Sequence, residues 1–195
     1  MGVDDGIVVG KMSQDEPIAM TVEQYFRLPE VVRPMELVYG VVREPPAPHY
    51  GHQSVVTRLT VLLDTHVREH GLGEVCVSPV DVVLDRAAAL VVQPDVIFVS
   101  RARAAIIRDR VWGAPDLTIE VLSARTESRD RMVKVGWYRR YGVRECWLVD
   151  THAKSVEVII FGDLHETSHV FAGDDAMRSS VLPQWHATPA LIVAP

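Results

Sequence analysis

Apolar residues recur at helical spacing between residues 51 and 70, and this segment is the longest regular element that the sequence predicts. The residues that share one helix face are Val55, Leu59, Leu62, Leu63 and Val67. Gly71 follows the pattern directly and is typical of a helix end. The segment is therefore predicted to be a helix that buries one face in a core.

Short apolar runs elsewhere in the chain predict β-strands. They cover residues 36–43 (two short strands turning near Gly40), 75–84, 91–99, 117–122, 145–150 and 155–161. Residues 165–193 predict further short strands and a proline-containing coil. Leu117 to Leu122 is apolar on both faces, which is typical of a central strand.

The order of elements over residues 117–149 indicates a parallel pair of strands. A helix over 131–141, capped by Ser128 or Asp130 and ended by Gly142, separates two predicted strands. A strand–helix–strand order favours parallel pairing with a right-handed crossover. Two shorter helices are predicted over residues 22–28, after the capping residue Thr21, and over 102–108. The pattern predicts a mixed α/β domain around a central sheet.

Composition agrees with one domain. The chain has 195 residues, 48% of them hydrophobic, which is enough for a sizeable core. We expect a flexible segment over residues 1–17 and a single domain over 18–195. No apolar run approaches the ~20 residues of a membrane span, and the N-terminus does not resemble a signal peptide. We therefore expect a cytoplasmic protein without a membrane partner.

Two further features limit the functional classes. Cys76 and Cys146 lack metal-ligand spacing and lie in apolar runs, so both are predicted to be buried thiols. The net charge of −6 argues against a strongly basic nucleic-acid-binding surface. Residues 101–144, however, hold 11 Lys and Arg against 5 Asp and Glu. This segment could bind phosphate groups locally, or it could simply form solvated helix faces.

Asp95 and Glu120 are the candidate chemical groups of the chain. Each lies in an apolar, β-prone run, where a carboxylate is desolvated unless a cation or hydrogen bonds compensate it. Two carboxylates on neighbouring strands could bind Mg²⁺ or Mn²⁺ with water. In the alternative interpretation, Asp95 is a turn residue after Pro94 and Glu120 pairs with an arginine.

Asp116 is a weaker partner for Glu120. The two residues share a strand face but lie ~13 Å apart at ~3.3 Å per residue, too far to hold one metal ion directly. A histidine metal site at His66 and His70 is not favoured either, because no Glu-x-x-His accompanies the pair. Ser123 is interpreted as a capping hydroxyl rather than a nucleophile.

The wider sequence is similar to a known family. Its matching segments are Glu36-Leu37-Val38-Tyr39-Gly40, His52 at the start of the long helix, Gln93-Pro94-Asp95-Val96, 113–123, Lys134 with Trp137-Tyr138, and 142–150. Together they resemble the PD-(D/E)XK nuclease superfamily, and in particular the bacterial putative restriction endonuclease family of the Uma-two type. The resemblance covers about residues 20–190. It implies a restriction-endonuclease-like α/β fold, with a central mixed β-sheet flanked by helices, an extra N-terminal hairpin and C-terminal strands.

The resemblance also implies roles for particular residues. Asp95 and Glu120 match the metal-binding acids. The motif lysine is missing, because Leu122 stands in its place, and Lys134 on the following helix is its expected substitute. Glu36 could add a water-mediated metal contact, and His52 could orient water or contact a phosphate. Simpler interpretations stay open: a solvated helix lysine, a surface charge of the hairpin and a local hydrogen bond at the helix start.

The function implied is a Mg²⁺- or Mn²⁺-dependent endodeoxyribonuclease with DNA as substrate. A homodimer is compatible with this by analogy, since nucleases often use two subunits to reach two strands. The alternative is a catalytically inert nuclease-fold protein that binds nucleic acid or a protein partner. A hydrolase of another phosphate ester is a third interpretation.

Overall fold

A computed structural model describes residues 19–29, 34–123, 130–162 and 165–193. The predicted flexible segment 1–17 and the predicted capping residue Ser128 lie outside these residues. The helices are α1 Val22–Tyr25, α2 Tyr50–Glu69, α3 Val135–Tyr141 and α4 Pro189–Ile192. A 3₁₀-helix covers Arg101–Ile106, and a π-helical turn, Asp130–Lys134, leads directly into α3.

Eleven strands are formed by the described residues. They are β1 Glu36–Val38, β2 Val41–Arg43, β3 Gly73–Val77, β4 Val82–Asp85, β5 Leu90–Val92, β6 Val96–Ser100, β7 Val111–Trp112, β8 Leu117–Leu122, β9 Glu145–Asp150, β10 Ser155–Phe161 and β11 Glu166–Ala172. The predicted strands 117–122, 145–150 and 155–161 are confirmed. The predicted long helix is also confirmed as α2, with both of its ends shifted by one residue.

The larger sheet contains six strands in the order β11-β10-β9-β8-β6-β3. β8 lies between β9 and β6, and all six of its residues are buried, as its two-sided apolar pattern predicts. β8 and β9 are parallel, and α3 lies between them in the chain. Gly142 ends α3 in the left-handed conformation (φ +89°), which glycine adopts without the steric cost of a Cβ.

The smaller sheet has the order β2-β1-β5-β4-β7. The predicted N-terminal hairpin is confirmed: β1 and β2 are antiparallel and form one edge of this second sheet. The prediction of single strands over 75–84 and 91–99 is wrong. Each segment breaks at a proline, Pro79 or Pro94, which has no N–H for a β-ladder. At each break the chain moves from one sheet to the other.

Both faces of the larger sheet are covered. On one face, α2 packs Val55, Leu59 and Leu63 into a cluster with residues of β8 and β9 such as Ile119 and Trp147. On the opposite face, residues of α3 pack with β8, β9 and strands of the smaller sheet. The apolar residues that meet there include Leu122, Leu148, Trp137, Tyr138, Val82 and Val92. Residues 116, 118 and 120 belong to this second face, because side chains alternate along a strand.

The two cysteines differ in environment. Cys146 is buried on β9 as predicted, whereas Cys76 is exposed, so that prediction is wrong for Cys76. The reason is that β3 is an edge strand with one face toward solvent.

Among the described helices, none is long and apolar enough to cross a membrane.

Candidate active site

Glu120 lies on β8, beneath the segment that leads into α3. Its side chain is almost fully buried, and both of its carboxylate oxygens lie 3.0 Å from the Nζ atom of Lys134. Lys134 is itself 5% exposed, so its interpretation as a solvated helix lysine is wrong. The last residue of the π-helical turn thus reaches back to the central strand.

Glu36 approaches the same ammonium group from the smaller sheet. Its carboxylate is fully buried, and Oε1 lies 3.2 Å from Lys134 Nζ. The backbone N–H of Gln93 donates to the same oxygen at 3.2 Å. Burial excludes the interpretation of Glu36 as a surface charge of the hairpin. Lys134 therefore lies between two buried carboxylates from two different sheets.

Tyr138 is a further partner of Glu120. Its ring is buried, and its hydroxyl donates a short hydrogen bond to Glu120 Oε1. Burial and the negative charge of Glu120 raise the pKa of Tyr138 well above 10, so the hydroxyl keeps its proton and acts as a donor. The sequence analysis did not assign this role. The available signal was the i, i+4 spacing of Lys134 and Tyr138.

Asp95 stands immediately before β6, at the level of Glu120. β6 and β8 pair with Val96 opposite Ile119, which places Asp95 and Glu120 at neighbouring positions. Asp95 Oδ2 accepts the backbone N–H of Val121 at 2.7 Å. The carboxylate thus takes the place of a backbone carbonyl where the ladder ends.

His52 connects α2 to Asp95. It lies in the first turn of the helix, and its Nε2 atom is 3.2 Å from Asp95 Oδ2. The side chain of Asp95 is one-fifth exposed. Both of these contacts, with Val121 and with His52, involve the same carboxylate oxygen, Oδ2. One oxygen of Asp95 is therefore fixed by the protein, and the other can accept a ligand.

An open cleft of about 460 Å³ lies next to His52, which is one of its lining residues. It is lined by His49, Tyr50, Gly51, His52, Ser54, Val55, Leu122, Ser123, Thr151 and Val193. The cleft lies between the start of α2 and the carboxyl ends of β8 and β9. Leu122, at the position of the missing motif lysine, also packs in the apolar cluster with Trp137 and Tyr138.

Asp116 is separate from this site. It is fully buried and accepts the backbone N–H of Ser100 at 2.7 Å, while Arg144 lies 3.2 Å and Arg103 3.5 Å from its Oδ1. Burial by itself would raise the pKa of Asp116, but the hydrogen bonds from Ser100 and the arginine charges outweigh burial and lower it below 3.8. Asp116 is a structural carboxylate.

His66 and His70, which the sequence does not favour as a metal site, each contact a backbone carbonyl oxygen. His66 Nε2 lies 2.9 Å from the carbonyl oxygen of Pro183, and His70 Nδ1 lies 2.9 Å from the carbonyl oxygen of His66.

Arg131, an arginine close to Lys134 in the chain, forms an ion pair: its Nη1 donates to Glu157 at 2.5 Å. Arg125 and Arg129 lie outside the described residues.

Glu145 is a further buried carboxylate, to which the sequence analysis assigned no role. Its Oε2 accepts both the N–H and the hydroxyl of Ser180 at 2.6 Å, and its Oε1 accepts the indole N–H of Trp147 at 2.6 Å. The two donors of Ser180 attach the C-terminal segment to β9. Glu145 therefore has a structural role.

The fold of this chain is also found in a protein of known structure. A crystal structure described as "a putative nuclease belonging to DUF820 from Anabaena variabilis ATCC 29413" is similar to this chain, with a TM-score of 0.71 and 18% sequence identity. The similarity covers 89% of this chain and 97% of that one. The chain belongs to the Uma2 family, described as "Putative restriction endonuclease", which matches residues 22–190. No curated protein matches the chain.

Proposed function

We propose that this protein is a Mg²⁺- or Mn²⁺-dependent endodeoxyribonuclease. The observation that carries the proposal is the buried group formed by Glu120, Lys134 and Glu36 beside Asp95. Acidic metal ligands next to a lysine are the groups that phosphodiester hydrolysis requires. The family description, a putative restriction endonuclease, supports the same reaction class.

The donor set fits a hard divalent cation. The described residues contain no cluster of three or more His, Cys, Asp or Glu side chains suited to a metal. Mg²⁺ does not require one, because it keeps several waters and is commonly bound through one or two carboxylates. Asp95 and Glu120 would supply these two carboxylates. Glu36 would contribute through water.

Charge favours a cation here as well. Glu36 and Glu120 are almost fully removed from solvent, and they share one ammonium group. Buried carboxylates interact strongly with a nearby cation, because the polarity around them is low. When bound, the cation would polarise the phosphodiester and acidify an attacking water.

The chain's own residues would complete the reaction. Lys134 would place a buried positive charge near the phosphate, where low polarity strengthens its effect on developing negative charge. His52, between Asp95 and the cleft, would contact the phosphate or orient water. DNA would enter through the cleft at the start of α2.

Cleavage assays on plasmid and linear DNA test this proposal. Asp95→Asn and Glu120→Gln each remove a charge at nearly constant volume, and we expect each to abolish Mn²⁺-dependent cleavage. Glu166→Gln is the matched control, because Glu166 is an exposed carboxylate on β11 that pairs with Arg139 at 3.3 Å. Undiminished cleavage in both site variants would refute the assignment.

A catalytically inert binding protein is the second candidate. It is favoured by Leu122, which packs in an apolar cluster where the superfamily motif has its lysine. Calorimetric titration with Mn²⁺ distinguishes the two candidates. Binding that is lost in Glu120→Gln supports the nuclease, whereas no binding by the wild-type protein at millimolar Mn²⁺ supports the inert protein.

A further inference from the structure

We infer that Tyr138 is the positioning residue of Glu120: its hydroxyl holds Oε1, so that the carboxylate keeps one orientation whether Lys134 or a divalent cation neutralises it. This inference rests on the proposed function for its catalytic meaning. Its structural part concerns only the contact between Tyr138 and Glu120.

The contacts that Lys134 and Tyr138 make with Glu120 differ in kind. Lys134 contributes a charge and lies close to both oxygens, whereas Tyr138 contributes a neutral hydroxyl to Oε1 only. A divalent cation near Glu120 repels the ammonium group of Lys134 but not a neutral hydroxyl. The contact with Tyr138 can therefore persist when the cation binds.

The surroundings of Tyr138 make it a rigid support. Its ring is fully buried in the cluster with Leu122, Trp137 and Leu148. A packed aromatic ring has few alternative rotamers, so the position of its hydroxyl is fixed by α3. Lys134, by contrast, has a flexible four-carbon stem. The rigid donor and the flexible cation lie one helical turn apart.

Hydrogen-bond donors that contact a metal-binding carboxylate, rather than the metal itself, have measurable effects on metal sites. Hydrogen bonds that orient a ligating carboxylate typically change metal affinity or activity by roughly 10- to 100-fold when removed. Tyr138→Phe removes only the hydroxyl and preserves the packing of the ring. We expect this variant to bind Mn²⁺ roughly 10-fold more weakly, or worse, and to lose kcat while its KM for DNA stays near that of the wild type.

Tyr141→Phe is the matched control. Tyr141 lies on the same helix, and within the described residues its hydroxyl makes no hydrogen bond to the carboxylate cluster. This variant should keep the Mn²⁺ affinity and kcat of the wild type. An equal loss in both variants would show a general effect of the helix and would overturn the inference.

Crystal structures without metal separate this inference from the proposed nuclease function. In Tyr138→Phe the Glu120 carboxylate should turn away from its wild-type orientation, and an unchanged orientation would overturn the inference. If wild-type protein binds no Mn²⁺, the nuclease proposal fails, and these structures still decide the role of Tyr138. If Tyr138→Phe does not fold, a wild-type crystal soaked in Mn²⁺ gives the answer. There the hydroxyl must still contact Glu120 Oε1, and a broken contact would refute the inference.

Discussion

Lys134 Nζ lies 3.0 Å from each carboxylate oxygen of Glu120, although 14 residues separate the two in the chain. A residue at position 122 would reach this carboxylate from the same strand face, and this chain has leucine there. The ammonium group comes instead from the helical turn that follows β8. Burial makes the pair stronger and more costly to disrupt than a surface ion pair.

Replacing Lys134 should damage both stability and activity. In Lys134→Met, Glu36 and Glu120 would each lose a buried ammonium partner, which costs about 3–5 kcal/mol of unfolding free energy. We also expect loss of DNA cleavage in the fraction that remains folded. Urea denaturation and cleavage assays measure the two effects. Lys154→Met, at an exposed turn, should change neither, and similar damage there would contradict the prediction.

Two replacements of Asp95 should separate its structural and catalytic contributions. Asp95→Asn keeps a carbonyl oxygen for the N–H of Val121, so its stability should stay within about 1 kcal/mol of the wild type. Asp95→Ala leaves that N–H without its acceptor and should cost about 1–3 kcal/mol. Both should abolish metal-dependent cleavage. An active Asp95→Asn variant would mean that this carboxylate is not a metal ligand.

Replacing Asp116 by asparagine should reduce stability but leave DNA cleavage unchanged. Asp116→Asn weakens the charged hydrogen bonds with Ser100 and Arg144, and we expect a loss of about 1.5–3 kcal/mol in unfolding free energy. Cleavage per folded molecule should stay at the wild-type level, because Asp116 lies outside the cluster. Denaturation curves measure the unfolding free energy, and cleavage rates divided by the folded fraction measure the activity per folded molecule. Loss of cleavage without loss of stability would assign Asp116 to the site.

Asp116 should also give the protein part of its acid sensitivity. Folding lowers the pKa of Asp116 below 3.8, so the unfolded chain binds more protons in this range. Its stabilising contribution is present above pH 3.8 and is lost as the pH falls through the lower folded value. The unfolding free energy of Asp116→Asn should therefore decline less than that of the wild type below pH 3.8.

His66 should make stability depend on pH in a higher range. Burial lowers the pKa of His66 below 6.5, although the hydrogen bond to Pro183 opposes this shift. The unfolded chain therefore takes up more protons than the folded one just below pH 6.5, and stability falls as the pH is lowered. His66→Gln should reduce this dependence in urea titrations between pH 7 and 5. His165→Gln, at an exposed position, should leave it unchanged, and an equal flattening there would contradict the role of His66.

Local patterns predicted the central elements well. The helical spacing of Val55, Leu59 and Leu63 defines α2, and the two-sided apolar run at 117–122 defines β8 as the central strand. These patterns suffice because periodicity follows directly from which faces are buried. Strands 75–84 and 91–99 were predicted less well. Their apolar residues are β-prone throughout, and only pairing shows that each segment divides between two sheets.

The candidate site was also predicted only in part, because long-range contacts decide which side chains meet. Asp95, Glu120, Lys134, Glu36 and His52 were all named from the sequence and its family resemblance, and their catalytic roles stay predictions. Tyr138 was not named as a site residue, because a tyrosine beside a tryptophan is as compatible with a core as with a site. Glu145 and Asp116 show the reverse case: a carboxylate in a strand does not reveal whether backbone amides and arginines or a metal will compensate it.

The sequence by itself determined the long helix, the buried central strand and the set of acids in apolar surroundings, because each depends on neighbours close in the chain. Only the tertiary structure decided which charges meet. Glu36 and Glu120 are 84 positions apart and belong to different sheets, yet both lie within 3.2 Å of one ammonium group. That arrangement depends on sheet order, register and the return of α3 over β8, which are properties of long-range packing and have no local signature.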